Sequence, residues 1–265
     1  MSLEHSLKII ILAAGKGRRM ESLGYDLPKP LIPIHGRPMI TYLIDAVRAS
    51  AVDGDPIVVT APDNRELFCQ HLGTNTCQYV VQEEQLGTGH AVMCAKGLFE
   101  SAENVMVLYG DHPTLSSETI RQLAEAHESS GATLTMMTVK FPDYEGWRQW
   151  FQSFGRIVRD DSGEISHIVE LKDATEEEKK ITEVNPAYMV FRRAWLCENV
   201  DLLTNKNAQG EYYLTDLVQL AVAQGQKIHS ITVENPIEAI GINTPEQLRA
   251  AEEALEKTKN ESFKN

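Results

Sequence analysis

The sequence predicts an α/β fold in which a mostly parallel sheet is flanked by helices. Residues 9–13 are apolar at every position, which is typical of a strand that is covered on both faces. Further strand-like runs at 56–60 and 78–81 alternate with helix-like segments at 37–50 and 64–72. This alternation favours right-handed crossovers between parallel strands.

Periodicity, caps and turn signals predict the remaining elements. Apolar residues of the segment 37–50 recur at i, i+3, i+4 and i+7, and a serine caps the segment 116–130. The sequence Asp-Asp-Ser-Gly at 160–163 predicts a hairpin turn. We expect one domain, residues 1–256, and a disordered polar tail at 257–265. The other predicted elements are a helix that ends at 98, strands at 105–109, 133–139 and 187–191, hairpin strands at 156–158 and 165–169, and helices at 175–180, 211–224 and from 245.

The first strand leads into a glycine-rich basic loop, which is the most informative stretch of the chain. The loop reads Gly-Lys-Gly-Arg-Arg at 15–19 and is followed by Pro-Lys-Pro at 28–30. Glycines permit positive φ and let a ligand approach the main chain, so such a loop can direct several N–H groups at one anion. Residues 16–29 contain four basic and two acidic side chains, in a chain whose net charge is −13. This local excess of positive charge predicts a site for a polyanionic ligand.

A short glycine motif is a weak signal, because an ordinary strand-to-turn connection would produce the same letters. The dinucleotide-binding fingerprint lacks its third glycine, because Met20 stands at that position. No Gly-Lys-Ser or Gly-Lys-Thr of a P-loop follows either. A dehydrogenase that binds a dinucleotide is therefore the least favoured class of enzyme.

Two later segments are further candidates for a ligand site. The segment 82–90, QEEQLGTGH, places two glycines before a predicted helix, whose amide groups could meet a ligand at the positive helix end. Asp111 follows the predicted strand at 105–109, at the edge where ligands bind in open α/β sheets. A helix-entry loop and a turn aspartate would account for the same residues.

Three other polar segments leave their roles open. Glu170, Lys172 and Asp173 could face a sugar phosphate or form a solvated charge cluster. Asn243 precedes a T-x-x-Q capping box with proline at the first helical position, so we expect it at the mouth of a helix. The segment 141–154 has no clean period, and we interpret it as an excursion over the site or as an interaction surface.

Composition and charge argue against several classes of protein. No apolar run approaches the roughly 20 residues that span a bilayer, and the N-terminus lacks a signal-peptide pattern, so we expect a cytoplasmic protein without a membrane partner. The acidic balance argues against nucleic-acid binding, which requires basic patches. The four cysteines show no metal-ligand spacing and are expected to be free thiols. The sequence contains no internal repeat, and the oligomeric state stays open.

Nine short motifs occur in an order that resembles a known family. In chain order they are LAAGKGRRM, PKPL, EEQLGTGHA, YGD, GRI, VELKDA, VN, NAQGEYYLTD and GIN. The order resembles that of the sugar-phosphate nucleotidyltransferases, and most closely the uridyltransferase domain of the bacterial bifunctional UDP-N-acetylglucosamine pyrophosphorylase. The likeness runs in register from about residue 8 to residue 250, and EQLGTGHA and NAQGEYYLTD are its most specific parts.

The resemblance implies a Rossmann-like, mixed and mostly parallel sheet of the nucleotide-diphospho-sugar transferase type. It implies an enzyme that joins UTP and N-acetylglucosamine 1-phosphate, or a related sugar 1-phosphate, to a UDP-sugar and pyrophosphate, with Mg²⁺ as cofactor. The implied catalytic residues are Arg19, Lys29 and Asp111, and the implied metal ligands are Asp111 and Asn243. The implied nucleotide-binding residues are Leu12, Ala13, Ala14, Gly15, Gln82, Gly87, Thr88, Tyr109 and Gly110. The implied sugar-binding residues are Gly155, Glu170, Asn185, Glu211 and Tyr213.

The chain also departs from the pattern of that family. Arg18 stands where the family usually has a small hydroxyl residue. Residues 185–187 are Asn-Pro-Ala in place of Asn-Thr-Gly, which removes a backbone donor at Pro186 and leaves the identity of the sugar open. The segment 141–154 is longer than expected, and no acetyltransferase β-helix follows, so we expect uridylyl transfer without acetylation.

Two alternatives to this function stay open. The same fold could transfer a thymidylyl, cytidylyl or guanylyl group to another phosphate. The departures at Arg18 and at 185–187 also allow a regulator that binds a nucleotide sugar without turnover. A fold alone does not decide between an enzyme and such a regulator.

Overall fold

The computed structural model describes residues 7–15 and 26–262, with the side chains of the last helix described as far as residue 256. In these residues the strands are β1 (Leu7–Leu12), β2 (Pro33–Ile34), β3 (Arg37–Pro38), β4 (Ile57–Thr60), β5 (Gln78–Val81), β6 (Asn104–Tyr109), β7 (Leu134–Lys140), β8 (Arg156–Arg159), β9 (Ile165–Val169), β10 (Glu183–Val184), β11 (Met189–Arg192) and β12 (Ile228–Thr232). The helices are α1 (Met39–Ala49), α2 (Arg65–Leu72), α3 (Thr88–Cys94), α4 (Ser117–Ser130), α5 (Arg193–Asn199), α6 (Asp216–Ala223) and α7 (Pro245–Ser262).

A mixed, mostly parallel sheet flanked by helices forms the centre of the molecule, as predicted. Strands β5, β4, β1 and β6 are neighbours in this order and are all parallel. Strand β11 is antiparallel to both β6 and β7, and β12 pairs with β7 in parallel. Beyond β7 the sheet continues through β10 into the hairpin of β8 and β9. The predicted hairpin around 160–163 is thus confirmed.

The central strand β1 is apolar throughout because both of its faces are covered. Ile9 and Ile11 belong to a buried cluster that also contains side chains of α1, α4 and α7. Ile10 and Leu12 belong to a second cluster, on the opposite face, with side chains of α3, α5 and α6. Alternate residues of a strand point to opposite faces, so a strand between two helical layers needs apolar residues at every position.

Several predicted elements have different bounds or forms in the structure. The predicted helix at 175–180 is only a 3-10 turn at Glu178–Lys180. The predicted helix at 211–224 begins at Asp216, because the backbone of residue 212 is hydrogen-bonded to residues 86 and 89 instead. Helix α7 continues to Ser262, so residues 257–262, which the sequence predicts as a disordered tail, are helical. Sequence analysis missed α5 and the strands β2, β3, β10 and β12.

The segment 141–154 packs into the core through an aromatic cluster. Its 3-10 turn, Gly146–Ser153, buries Phe151 completely. The ring centroid of Phe151 lies 4.6 Å from that of Phe141 and 5.0 Å from that of Phe154. Trp147 stays 38% exposed. In the part of the chain that the structure describes, no helix is long and apolar enough to cross a membrane.

Candidate active site

The Pro-Lys-Pro motif forms a short turn that is fixed at both ends. A 3-10 turn spans Lys29–Leu31, and Leu31 and Ile32 are almost completely buried. The Leu31 N–H donates to the Pro28 carbonyl at 2.8 Å, and the Ile32 N–H donates to the Lys29 carbonyl at 3.1 Å. Since proline also fixes φ, the turn positions the Lys29 side chain with little backbone freedom.

Two further loops bring oxygen atoms to the same place. Asp111 follows the end of β6, and its carbonyl accepts from the Ile242 N–H at 2.9 Å, which joins this loop to the one before α7. Asn243 Nδ2 donates to the Gly241 carbonyl at 3.2 Å. This hydrogen bond fixes the orientation of the Asn243 amide and leaves Oδ1 as the acceptor on its other side.

One ammonium group joins these loops. Lys29 Nζ forms an ion pair with Asp111 Oδ2 and donates to Asn243 Oδ1 at 2.8 Å. Burial opposes ionisation of Asp111, but Lys29 and then His112 outweigh it and hold the pKa of the carboxyl below its usual range. Burial lowers the pKa of His112, although the Asp111 carboxylate opposes this shift. Two oxygen ligands from distant parts of the chain therefore converge on one cation.

A cavity of about 620 Å³ opens beside this ion pair. Lys29, Asp111 and Asn243 all line it, together with Lys172 and Gln209. Of the predicted nucleotide-binding residues, those that line it are Leu12, Ala13, Ala14, Gly15, Gln82, Gly87, Thr88 and Tyr109. Its volume is in the range that small-molecule sites occupy.

A smaller cavity of about 230 Å³ adjoins the larger one, and Asp111 and Asn243 line both. All of the predicted sugar-binding residues line it, namely Gly155, Glu170, Asn185, Glu211 and Tyr213. The two cavities are therefore neighbours whose walls share Asp111 and Asn243.

A tight backbone crossing forms one wall of the larger cavity. The Tyr212 N–H donates to the Leu86 carbonyl at 2.7 Å, and the Gly89 N–H donates to the Tyr212 carbonyl at 2.8 Å. Gly87 lies at this crossing with φ of +110°, and a Cβ there would lie 2.7 Å from the Tyr212 carbonyl oxygen. Only glycine fits the conformation and the space.

A buried carboxylate forms part of the smaller cavity. Glu170 Oε1 accepts from the Thr215 hydroxyl at 3.1 Å. A Cβ at position 155 would lie 3.2 Å from Glu170 Oε1 and 2.9 Å from Ile168 Cγ2, so Gly155 leaves room for the carboxylate. Burial raises the pKa of Glu170, although the hydrogen bond from Thr215 opposes this shift.

The Asn-Pro-Ala segment contributes a strained backbone to the same cavity. Asn185 Oδ1 accepts from the Ala187 N–H at 2.9 Å. Ala187 has φ of +68°, a conformation that costs a residue with a Cβ roughly 1–2 kcal/mol. The segment thus keeps a glycine-like backbone although the sequence has alanine at this position.

Comparison with known proteins identifies the family. The family model of the MobA-like NTP transferase domain matches residues 9–212. The chain belongs to the MobA-like NTP transferase family. It is therefore a nucleotidyltransferase, as the order of its motifs predicts.

Curated relatives of this NTP transferase include bifunctional GlmU proteins. The chain is 37% identical to GlmU of Desulfotalea psychrophila over 261 aligned residues. These residues make up 98% of the chain and 74% of that protein. It is 43% identical over 253 residues to GlmU of Heliobacterium modesticaldum, which covers 95% of the chain and 52% of that protein. The chain spans about half the length of most of the curated relatives it matches.

A solved structure shares the fold of this NTP transferase. It is a protein from Bacillus anthracis, assigned as a glucose-1-phosphate thymidylyltransferase and solved in complex with sucrose. The TM-score is 0.73 at 18% sequence identity, and the match covers 94% of both chains. The predicted nucleotide-diphospho-sugar transferase type of sheet is therefore confirmed.

One predicted site residue of the NTP transferase lies outside the described residues, and another lines neither cavity. Arg19 lies outside the described residues, as do the rest of the basic loop at 16–18 and Met20. Gly110 lines neither cavity, and its N–H donates to the Leu12 carbonyl at 3.0 Å. A Cβ at this position would lie 3.3 Å from both Ile40 Cδ1 and the Leu12 carbonyl oxygen, so the site leaves little room for a side chain.

Sequence reasoning missed several residues that line the cavities. His112 and Thr215 line the smaller one, and Gln209 lines both. Lys172 Nζ donates to Gln209 Oε1 at 2.8 Å at the edge of the larger cavity. The charge cluster at 170–173 had already named Lys172 as a residue that could face a sugar phosphate, whereas the sequence gives no signal for His112, because its place depends on contacts with distant residues.

Proposed function

We propose that the enzyme joins UTP and N-acetylglucosamine 1-phosphate, or a related sugar 1-phosphate, to form a UDP-sugar and pyrophosphate. The single observation that carries the proposal is that Asp111 and Asn243 line both cavities, while Lys29, which lines the larger one, contacts both of these residues. The larger cavity would hold the nucleoside triphosphate, and the smaller one would hold the sugar. The reacting phosphates then meet beside Lys29.

The reaction needs positioning and charge neutralisation more than a general base. The phosphate of a sugar 1-phosphate has a second pKa of about 6, so it is largely dianionic at neutral pH. Repulsion between this nucleophile and the triphosphate opposes attack at the α-phosphorus, and in-line positioning with cationic groups lowers that barrier. Lys29 and Lys172 are the cationic side chains that line the larger cavity among the described residues, and we assign Lys29 to the phosphates. Arg19, outside the described residues, keeps its predicted phosphate-binding role.

Gln82 supports a uracil-reading pocket. Its Nε2 donates to the Gly87 carbonyl at 3.0 Å and lies 3.1 Å from His90 Nδ1. With both amide hydrogens directed at protein acceptors, Oε1 is the atom that can accept from a base. The N3 position of uracil is a donor whereas that of cytosine is an acceptor, so this arrangement favours UTP over CTP.

Asn185 and Glu170 support an amino-sugar substrate. Asn185 Oδ1 is used by the Ala187 N–H, which leaves its Nδ2 to donate to an acetamido carbonyl. Glu170 uses one carboxylate oxygen with Thr215, and the other can accept from sugar hydroxyls. The acid and the amide would thus recognise different parts of one sugar ring.

Mg²⁺ fits the residues at the boundary of the cavities. Asp111 Oδ2 and Asn243 Oδ1 already converge on the ammonium of Lys29, so a cation is stable at this position. Both are hard oxygen donors of the kind Mg²⁺ prefers, and no cluster of three or more His, Cys, Asp or Glu exists among the described residues. Asp111 and Asn243 would hold the ion, which supplies neutralisation of phosphate charge when bound.

Pyrophosphate release tests the proposal. The assay uses each of the four nucleoside triphosphates with N-acetylglucosamine 1-phosphate and glucose 1-phosphate, for the native chain, Asp111→Ala and Asp45→Ala. Asp45, on the outer face of α1, pairs with Arg37 and lines neither cavity, so it is a matched control. We expect turnover with UTP, a loss of at least about a hundredfold for Asp111→Ala, the size associated with removing one transition-state contact, and no loss for Asp45→Ala.

Two results would contradict the proposal. Undiminished turnover by Asp111→Ala would remove the metal role of this carboxylate. Binding of a UDP-sugar, seen as a thermal shift, without turnover under any of these conditions would identify a regulator instead of an enzyme of this specificity.

A further inference from the structure

The ring of His112 is buried beside Asp111 and takes no part in the proposed reaction. Its side chain is 7% exposed and lines the smaller cavity. Nδ1 lies 2.6 Å from the Tyr188 hydroxyl oxygen, and Nε2 lies 3.6 Å from Asp111 Oδ1. The two ring nitrogens therefore face different partners, one inside the core and one towards the site.

The hydrogen bonds of Tyr188 assign the tautomer of this histidine. The Tyr188 hydroxyl has one hydrogen, and it donates to the Glu238 carbonyl oxygen at 2.7 Å, because a carbonyl can only accept. The hydroxyl oxygen must then accept the hydrogen bond from His112 Nδ1–H. Nδ1 is thus used inside the core, and Nε2 is the ring nitrogen left to bind a metal ion.

Nε2 of His112 and Oδ1 of Asp111 face each other at 3.6 Å. A proton on Nε2 or a metal ion between the two atoms would stabilise this contact. Two atoms that bind the same ion, each at about 2.1 Å, can lie at most about 4.2 Å apart, so the observed separation allows a shared ion.

We propose that His112 Nε2 is a third ligand of the divalent metal that the proposed function assigns to Asp111 and Asn243. Tyr188 is the positioning residue, because it holds the Nδ1–H tautomer that leaves Nε2 free. This inference rests on the proposed function, and it makes the donor set one nitrogen and two oxygens. Imidazole nitrogen favours transition metals, so the site binds Mn²⁺ more tightly than Mg²⁺.

The alternative role for His112 is packing. A Cβ at position 241 would lie 2.9 Å from His112 Nε2, so the ring occupies the space beside Gly241. The ring also contacts Tyr188 edge-on, with 5.3 Å between the centroids. Packing uses the shape of the ring, whereas metal binding uses the lone pair, and the two roles give different spectra.

Paramagnetic resonance with Mn²⁺ separates these roles. The full chain is titrated with Mn²⁺ to obtain its Kd, and the electron spin-echo of bound Mn²⁺ is examined for ¹⁴N modulation. We expect ¹⁴N modulation that changes when the protein is grown with ¹⁵N-histidine. In His112→Phe, which keeps a planar ring, the modulation disappears and the Kd rises. The rise is about ten- to a hundredfold, the range known for perturbing a metal's supporting groups.

Two further variants refine the measurement. Tyr188→Phe keeps His112 but removes the partner of Nδ1, and we expect its Kd for Mn²⁺ to rise about tenfold. His71→Phe is the matched control, because His71 lies on the exposed side of α2 and lines neither cavity. Its Kd and modulation stay as in the native chain.

Each outcome decides the proposal. Bound Mn²⁺ without histidine modulation, or an unchanged Kd in His112→Phe, overturns the ligand role of His112. If Asp111→Ala abolishes Mn²⁺ binding in that case, the metal site of the proposed function is retained without His112. If the native chain binds no Mn²⁺, both the metal site and the ligand role of His112 are refuted. If His112→Phe does not fold, the ¹⁵N-histidine comparison in the native chain still decides.

Discussion

Substitution of Gly87 by alanine tests the wall of the larger cavity. At φ +110° and ψ 178° the backbone of Gly87 is in a region that is nearly restricted to glycine, and occupying it with another residue costs about 1–3 kcal/mol. The new Cβ would also lie 2.7 Å from the carbonyl oxygen and 2.8 Å from the nitrogen of Tyr212. Both atoms belong to the backbone, so they cannot move away as a flexible side chain would.

To relieve this overlap, the segment around Gly87 must move away from the segment around Tyr212. Separation breaks the hydrogen bonds that join Tyr212 to Leu86 and Gly89, each worth about 1 kcal/mol. Alanine also lowers the conformational entropy of the unfolded chain, which stabilises the folded state by about 0.5–1 kcal/mol and offsets part of this loss. The free energy of unfolding of Gly87→Ala should therefore fall by about 2–4 kcal/mol, the sum of these terms. The displaced wall should also weaken UTP binding.

Urea denaturation and a UTP titration measure both effects. The matched control is Gly97→Ala, because a Cβ at Gly97 has no heavy atom within 4 Å and its φ lies outside the left-handed range. The free energy of unfolding of this control should lie within about 0.5 kcal/mol of that of the native chain, as is usual for surface substitutions. A loss of less than about 1 kcal/mol in Gly87→Ala, with unchanged UTP affinity, would refute the reasoning, since strain alone should exceed it.

Three more predictions concern charge, titration and strain. Lys29→Met should lower kcat about a hundredfold with a smaller change in the KM of the sugar phosphate, because the ammonium acts on charge that develops in the transition state. Burial lowers the pKa of His127 to about 4, so its unfolded value of 6.5 lies above the folded one, and about 3 kcal/mol of stability should be lost as the pH falls from 6.5 to 4. His127→Gln should remove that loss. Ala187→Gly should stabilise the fold by about 0.5–1 kcal/mol, since it relieves a left-handed alanine at the cost of glycine entropy.

Steady-state kinetics and denaturation across pH check these expectations. A Lys29→Met enzyme that changed only the sugar KM would exclude the transition-state role. Equal pH dependence in the native chain and His127→Gln would place the titration elsewhere. The control for Ala187→Gly is Ala126→Gly inside α4. This exchange should destabilise the fold by about 1 kcal/mol, because glycine is unfavourable in a helix interior. If both alanine exchanges destabilised the fold equally, Ala187 would not be strained.

The fold could be predicted where one local signal decides an element. The uniformly apolar β1, the capped α4 and the Asp-Asp-Ser-Gly hairpin all formed as predicted. Predictions were wrong where tertiary hydrogen bonds compete with helix formation. Residues 211–215 have a helical pattern, but the backbone of Tyr212 bonds to Leu86 and Gly89, so α6 starts only at Asp216.

The sequence by itself determined the order of the motifs, and with it the family and the sheet. It did so because glycines, prolines and apolar runs act over a few neighbours. Only the tertiary structure decided that Lys29, Asp111 and Asn243 meet at one point, that Gly110 lines neither cavity, and that His112 faces Asp111. These contacts join residues far apart in the chain, and their geometry depends on how the loops at one edge of the sheet pack together.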